Sequence, residues 1–203
     1  MKNKYCLIKY PVDILFSLIT LIVFIPLWII IILAVKIDDP HGPVIFKQRR
    51  MGKDGKPFIM YKFRSMVVNA EEKLKELEEL NEQKGPLFKI KEDPRVTRVG
   101  HFLRRTSLDE FPQLVNVIKG DMSLIGPRPP LEKEVFQYTE YQKKRLQVKP
   151  GCTGLWQVSG RSNVDFEKML QLDVEYIEHY NILMDAKIFF KTFKVLFTGE
   201  GSY

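Results

Sequence analysis

Cysteine and histidine are scarce in this chain of 203 residues. There are two cysteines, Cys6 and Cys152, and three histidines, His41, His101 and His179. None of them falls at zinc-ligand spacing, which argues against a Cys/His metal centre. Cys6 borders a long apolar run and Cys152 sits in a Pro-Gly turn, so a disulfide between them is not expected. Internal repeats and low-complexity linkers are also missing. No P-loop and no dinucleotide-binding glycine motif occurs. No Ser/His or Cys/His nucleophile set is evident. These absences leave carboxylates and cations as the chemically capable groups.

Cations are in surplus. Lys and Arg number 32 against 25 Asp and Glu, a formal net charge of +7. That balance favours anionic partners: nucleic acid, acidic lipid or a phosphorylated substrate. The length suits one apolar anchor plus one domain, divided here as 1–36 and 37–203.

Ile14 to Val35 is a run of 22 uncharged residues, enough for a helix to cross a hydrocarbon core of roughly 30 Å. No small-residue cleavage site follows, so the segment reads as retained rather than as a signal peptide. Two topologies remain open on the residues alone. One is a spanning helix. The other is a re-entrant helix that bends and leaves by the face it entered. Pro26, near the middle, favours a bend. So do basic flanks on both sides, Lys2, Lys4 and Lys9 before and Lys36, Lys47, Arg49 and Arg50 after.

Downstream, the fold class reads as α/β and predominantly helical, with one small β-hairpin. Val44–Arg64 forms that hairpin around Asp54-Gly55. Helices are expected over Ala70–Gln83, Val96–Arg105, Pro112–Ile118, Leu131–Val148 and Asp165–Tyr180, the last with Asp165 as N-cap. Lys187, Lys191 and Lys194 share one face of the tail, and large apolar residues fill the rest. This is the pattern of an amphipathic helix lying in a membrane interface; a core-packing helix is the other reading.

Three clusters carry possible chemistry. In the first, Arg104-Arg105-Thr106-Ser107-Leu108-Asp109-Glu110-Phe111-Pro112, Ser107 to Glu110 matches a capping box. Pro112 fits better at a first helical position. That leaves Asp109 and Glu110 at the mouth of a helix, where a carboxylate can act as nucleophile or metal ligand. Arginine forks beside them suit phosphate oxygens. In the second, Gly126-Pro127-Arg128-Pro129-Pro130 holds Arg128 on a rigid backbone. The third, Lys149 to Arg161, reads as a hairpin or as a base-stacking and phosphate-holding turn. The basic stretch Lys47 to Arg64 suits anionic lipid headgroups, with Lys62 and Arg64 able to face a phosphorylated substrate instead.

Taken in order, these segments resemble the bacterial sugar transferase family, the monotopic phosphoglycosyl transferases. The likeness is carried by Val44–Gly52, Tyr61–Met66, Ser107–Glu110, Lys119–Ser123, Gly126–Pro129 and Pro150–Gly154. The resemblance implies transfer of a sugar-1-phosphate from a UDP-sugar to a polyprenol phosphate, usually undecaprenyl phosphate, with release of UMP. It implies Asp109 as nucleophile of a covalent phosphosugar–aspartyl intermediate and Glu110 as its partner. Mg²⁺ would be held near both. Arg104, Arg128, Lys62 and Arg161 are the phosphate binders, and Pro26 is the bend of a re-entrant helix. The implied location is the cytoplasmic face of a bacterial plasma membrane, on an anionic bilayer, without nucleic acid as a partner. The family's Ser-Pro pair is Ile25-Pro26 here, so a hydroxyl that could bond a freed carbonyl at the bend is missing. The competing enzyme mechanism is a glycosyltransferase that releases UDP, and the alternative of another class is a membrane-tethered basic adaptor that binds lipid or nucleic acid.

Overall fold

The computed structural model describes residues 2–73, 90, 93–160 and 164–198. Most of the expected helix 70–83, and Arg161, lie outside these described residues.

The apolar run is divided between two helices, α1 (Lys2–Val23) and α2 (Ile25–Asp38). Pro26 occupies the first turn of α2, where its missing N–H breaks no helical bond. Its ring opposes continuation from the preceding helix, and Phe24 takes φ −96° and ψ 15° at the junction. The uncharged run therefore does not form one continuous helix. Lys4–Val23 is nonetheless long and apolar enough to cross a membrane.

The N-terminal part of α1 is not a plain basic flank. Lys9, Asp13 and Ser17 repeat every four residues, so they share one helix face, and all three are buried. Lys9 Nζ lies 2.6 Å from Asp185 Oδ2 and 3.5 Å from Asp13 Oδ2. Tyr5 and Tyr176 donate their hydroxyls to the two oxygens of Asp185 at 2.7 and 2.8 Å. Lys9 is thus neutralised inside the protein. Counting it as a free positive flank overstated the charge on that side.

The hairpin forms as expected. β1 (Ile45–Met51) pairs antiparallel with β2 (Pro57–Phe63), from Ile45 opposite Phe63 to Met51 opposite Pro57. Asp54 and Gly55 turn the chain with φ of 56° and 70°. The C-terminal end of α2 packs on this hairpin and on α3 (Arg98–Arg105), burying Ile31 and Val35 against Phe63 and Leu103. Thr97 caps α3 by accepting from Gly100 N. Arg64 pairs with Asp39 just past α2, and Asp38 accepts from Val99 N at 3.0 Å. Both ends of the α1–α2 unit are therefore tied to one body.

α4 (Gln113–Lys119) ends at Gly120 in a left-handed cap, φ 83°. Two short strands, β3 (Ser123–Ile125) and β4 (Gly151–Thr153), then pair in parallel. The hairpin reading of 149–161 is corrected here. The reason is backbone contact: a Cβ on Gly154 would lie 2.2 Å from Gly126 O, so only glycine lets the two loops meet.

The expected helix over 131–148 is also corrected. It is broken into α5 (Glu132–Val135), α6 (Glu140–Lys143) and a 3₁₀ turn, Lys144–Gln147. Thr139 restarts the chain with a capping box to Gln142. The break turns Glu134 and Arg145 inward together, both essentially without exposure. Arg145 pairs with Asp173 of α7 (Phe166–His179) and donates to Tyr138 Oη at 2.6 Å. Asp165 caps α7 as read, accepting from Lys168 N. Both cysteines are free.

α8 (Ile182–Thr198) docks through Asp185 and Ile188, while Phe190 is 72% exposed and Lys187, Lys191 and Lys194 face outward. Asp173→Ala would strand the buried Arg145 charge. The expected cost is about 3–5 kcal/mol, read as a lower midpoint in a denaturant melt of the micelle-solubilised protein. An unchanged midpoint would remove this pair from the stabilising set.

Candidate active site

Asp109 and Glu110 sit in a 3₁₀ turn, Leu108–Glu110, between α3 and α4. Ser107 enters the turn in the left-handed region, φ 57°, and makes no side-chain cap bond. The capping-box reading therefore fails. Pro112 holds the N-cap position of α4 instead, which leaves both acids outside a regular helix.

The two carboxylates differ. Asp109 is 8% exposed, whereas the Glu110 side chain is 40% exposed and bonds Lys62 Nζ at 2.7 Å. Burial pushes the Asp109 carboxyl up to about 6; the Lys62 cation opposes that rise, and the Glu110 charge adds to it. A carboxyl titrating there is ionised at neutral pH yet poorly solvated, a state suited to attack.

Cations converge on this pair from three elements. Lys62 stands on β2, two residues from Met60, so both point to one face and both line the cleft. Arg104 lies in the last turn of α3, its Nε donating to Ser65 Oγ at 3.0 Å. Arg128 projects from the proline loop and is steadied by buried Glu134 at 3.2 Å. Its backbone carbonyl accepts from Arg145 at 2.9 Å.

These five residues, the predicted catalytic and phosphate-binding side chains within the described residues, line one cleft of about 600 Å³, whereas Arg64 pairs with Asp39 and does not line it. Arg161 lies outside the described residues. Pro26 is not on the wall, but its neighbour at the bend, Phe24, is. Part of the remaining wall is apolar and comes from α1 and α8. Phe16 and Thr20 of α1 face Phe189, Phe193 and Leu196 of α8.

One lining residue was misplaced on sequence grounds. Arg50 was grouped with surface cations, yet it is 8% exposed and borders the cleft. The two-residue strand period separates it from its neighbour. Arg49 points outward with 61% of its side chain exposed, and Arg50 points in beside Gln48.

No cluster of three or more His, Cys, Asp or Glu stands together among the described residues. Two carboxylates at one cleft still suit Mg²⁺, a hard cation that binds through one or two carboxylates and completes its shell with water and substrate phosphates. The donor set fits that ion and not a caged zinc.

Comparison with known proteins follows the same line. The profile of the family described as "Bacterial sugar transferase" matches residues 4–199. Galactosyl transferase CpsE of Streptococcus agalactiae serotype III is 50% identical over 173 residues, covering 85% of this chain and 38% of that protein. The undecaprenyl-phosphate galactose phosphotransferase of Salmonella typhimurium strain LT2 is 46% identical over 210 residues, 100% of this chain and 43% of that protein. The UDP-glucose:undecaprenyl-phosphate glucose-1-phosphate transferase of Escherichia coli K12 is 42% identical over 205 residues, 97% and 42% respectively. The chain spans about two fifths of the length of each of these relatives. An acid dyad under converging cations, set among these matches, places the chain in the bacterial sugar transferase family.

Proposed function

We propose that this chain moves a sugar-1-phosphate from a UDP-sugar to undecaprenyl phosphate or a similar polyprenol phosphate and releases UMP. This is the first membrane step in building an exopolysaccharide, capsule or related glycoconjugate. The observation that carries the reading is the two-sided cleft. Asp109 stands under Lys62, Arg104 and Arg128 on one side, and residues of α1 and α8 form an apolar wall on the other. A water-soluble nucleotide sugar and a lipid phosphate can meet only in such a place.

The reaction divides into two displacements. Ionised Asp109 attacks the sugar-bearing phosphorus. The P–O bond to the bridging oxygen breaks, and UMP leaves with that oxygen. A polyprenol phosphate oxygen then attacks the same phosphorus, the bond to Asp109 breaks, and the carboxylate is restored. Lys62, Arg104 and Arg128 offset phosphate charge as the nucleophilic anion approaches. Asp109 and Glu110 are the residues that would hold Mg²⁺, which when bound supplies further charge neutralisation on the phosphates.

The same reading includes a re-entrant anchor on the cytoplasmic face. Three features support it. The helix breaks at Phe24 beside Pro26. The Lys9–Asp185 and Arg64–Asp39 pairs tie the two outer ends to one body. Leu7, Val12, Leu15, Ile19 and Ile22 are left uncovered by protein, a surface suited to lipid.

Three outcomes are expected. Asp109→Asn retains membrane binding but loses UMP release by at least about a thousandfold; near-normal release would end the nucleophile assignment. Appearance of UDP in place of UMP would mean ordinary glycosyl transfer. For the wild type, kcat/KM falls tenfold per pH unit below about 6, because protonated Asp109 cannot attack. Lys62→Met removes the cation that favours the charged form and moves this acid limb to higher pH; a limb that stayed in place would detach it from Asp109. Finally, Lys4→Cys and Lys53→Cys in a background lacking Cys6 and Cys152 both label from the cytosolic side. Labelling from opposite sides would mean a spanning helix.

A further inference from the structure

Buried Arg50 forms no ion pair among the described residues. Its guanidinium Nε and Nη2 donate to Gln48 Oε1 at 2.9 and 2.7 Å, and Nη1 donates to Pro129 O at 3.0 Å. Both acceptors are neutral. The acids that act on it pair with other cations: Glu134 with Arg128 at 3.2 Å and Glu110 with Lys62 at 2.7 Å, while Glu132 pairs with Arg49 at 3.7 Å. Burial and the proximity of Arg128 work against the charged form of Arg50 and outweigh the favourable fields of Glu134 and Glu110.

A buried charge normally has a counter-ion, since leaving one unpaired is costly. Bridging Gln48 to the proline loop does not require a full charge, because neutral donors serve carbonyl acceptors as well. The hydrogen-bond count points the same way. A guanidinium carries five N–H groups, and three are used. Among the described residues that leaves one N–H on Nη1 and one on Nη2, donors of the kind that bind phosphate oxygens. Gln48 and Pro129 hold the fork in place, while Arg128 shares the same cleft.

We propose that Arg50 is a phosphate-binding residue of the active site, acting with Arg128 on one substrate phosphate that serves as its missing counter-ion. The naming of that phosphate rests on the function proposed above: it belongs either to the diphosphate of the UDP-sugar or to the polyprenol phosphate.

The test uses the full chain in nanodiscs, with Arg50→Met to remove the charge and Arg50→Lys to keep it without the fork. KM is measured for each substrate. Stabilisation against heat is measured with UDP, with uridine and with polyprenol phosphate. Arg50→Met should raise one KM by about 10- to 100-fold, the range for losing charged hydrogen bonds. It should also lose most of the stabilisation by the matching phosphate ligand, while its unliganded melting midpoint is no lower than wild type. Arg50→Lys should fall between the two. A rise in KM for UDP-sugar assigns the diphosphate; a rise for the lipid assigns its phosphate. Unchanged KM values with full ligand stabilisation would overturn the proposal. So would a lowered midpoint with kcat alone reduced, the signature of a structural bridge. If Arg50→Met does not fold, Arg50→Lys carries the same readouts. A wild type that releases no UMP would overturn the proposed function, and UDP against uridine stabilisation would still decide the case for Arg50.

Discussion

The buried charges on α1 govern how the membrane-type helix meets the rest of the protein. Lys9 lies between Asp13 and Asp185. Asp13 in turn accepts from Ser123 Oγ and from Leu124 N. One helix face therefore reaches α8 through Asp185 and reaches β3 through Ser123. Such a network is expensive to desolvate and tolerable only when its members satisfy one another. Once formed it fixes angle and depth, because a shift of α1 by one residue would strand several buried charges at once.

The position of the cleft follows from that clamp. β3 leads directly into Gly126-Pro127-Arg128, and β4 is held against it by the close approach of Gly126 and Gly154. α8, tied to α1 by Asp185, brings Phe189 and Phe193 to the side opposite the cations. On the far flank, α2 returns to the hairpin and α3, and α3 leads through Ser107 to Asp109. The acid dyad, the cations and the apolar wall thus come from segments far apart in the chain. Their common reference is the bent helix pair.

Electrostatics within the cleft is a balance rather than a simple positive patch. Burial raises the Asp109 carboxyl to about 6, and Lys62 opposes the rise. The same Lys62 bonds Glu110. Arg128 is steadied by a carboxylate with no exposure, Glu134, and Arg145 holds the backbone beneath it. The second set of charges, Arg145 with Asp173, lies behind the wall and supports the residues that face substrate.

Much of this was legible in the chain. Asp54-Gly55 marked the hairpin turn, Asp165 marked the start of α7, and Pro112 placed the dyad outside a helix. Those signals are local: turn chemistry and capping act within four residues and need no distant partner. The motif order also named the family and five residues that the fold brings to one cleft. What the sequence could not decide was every feature that depends on a partner far along the chain. Lys9 read as a free flank because Asp185 lies 176 residues away. Within 131–148, the inward turn of Arg145 depends on Asp173, 28 residues away. Arg50 read as a lipid-facing cation because a strand's two faces become inside and outside only once something packs on one of them. The sequence by itself determined the local elements and the family. The tertiary structure decided which charges are buried and which face the cleft, since desolvation belongs to the assembled surface and not to any residue alone.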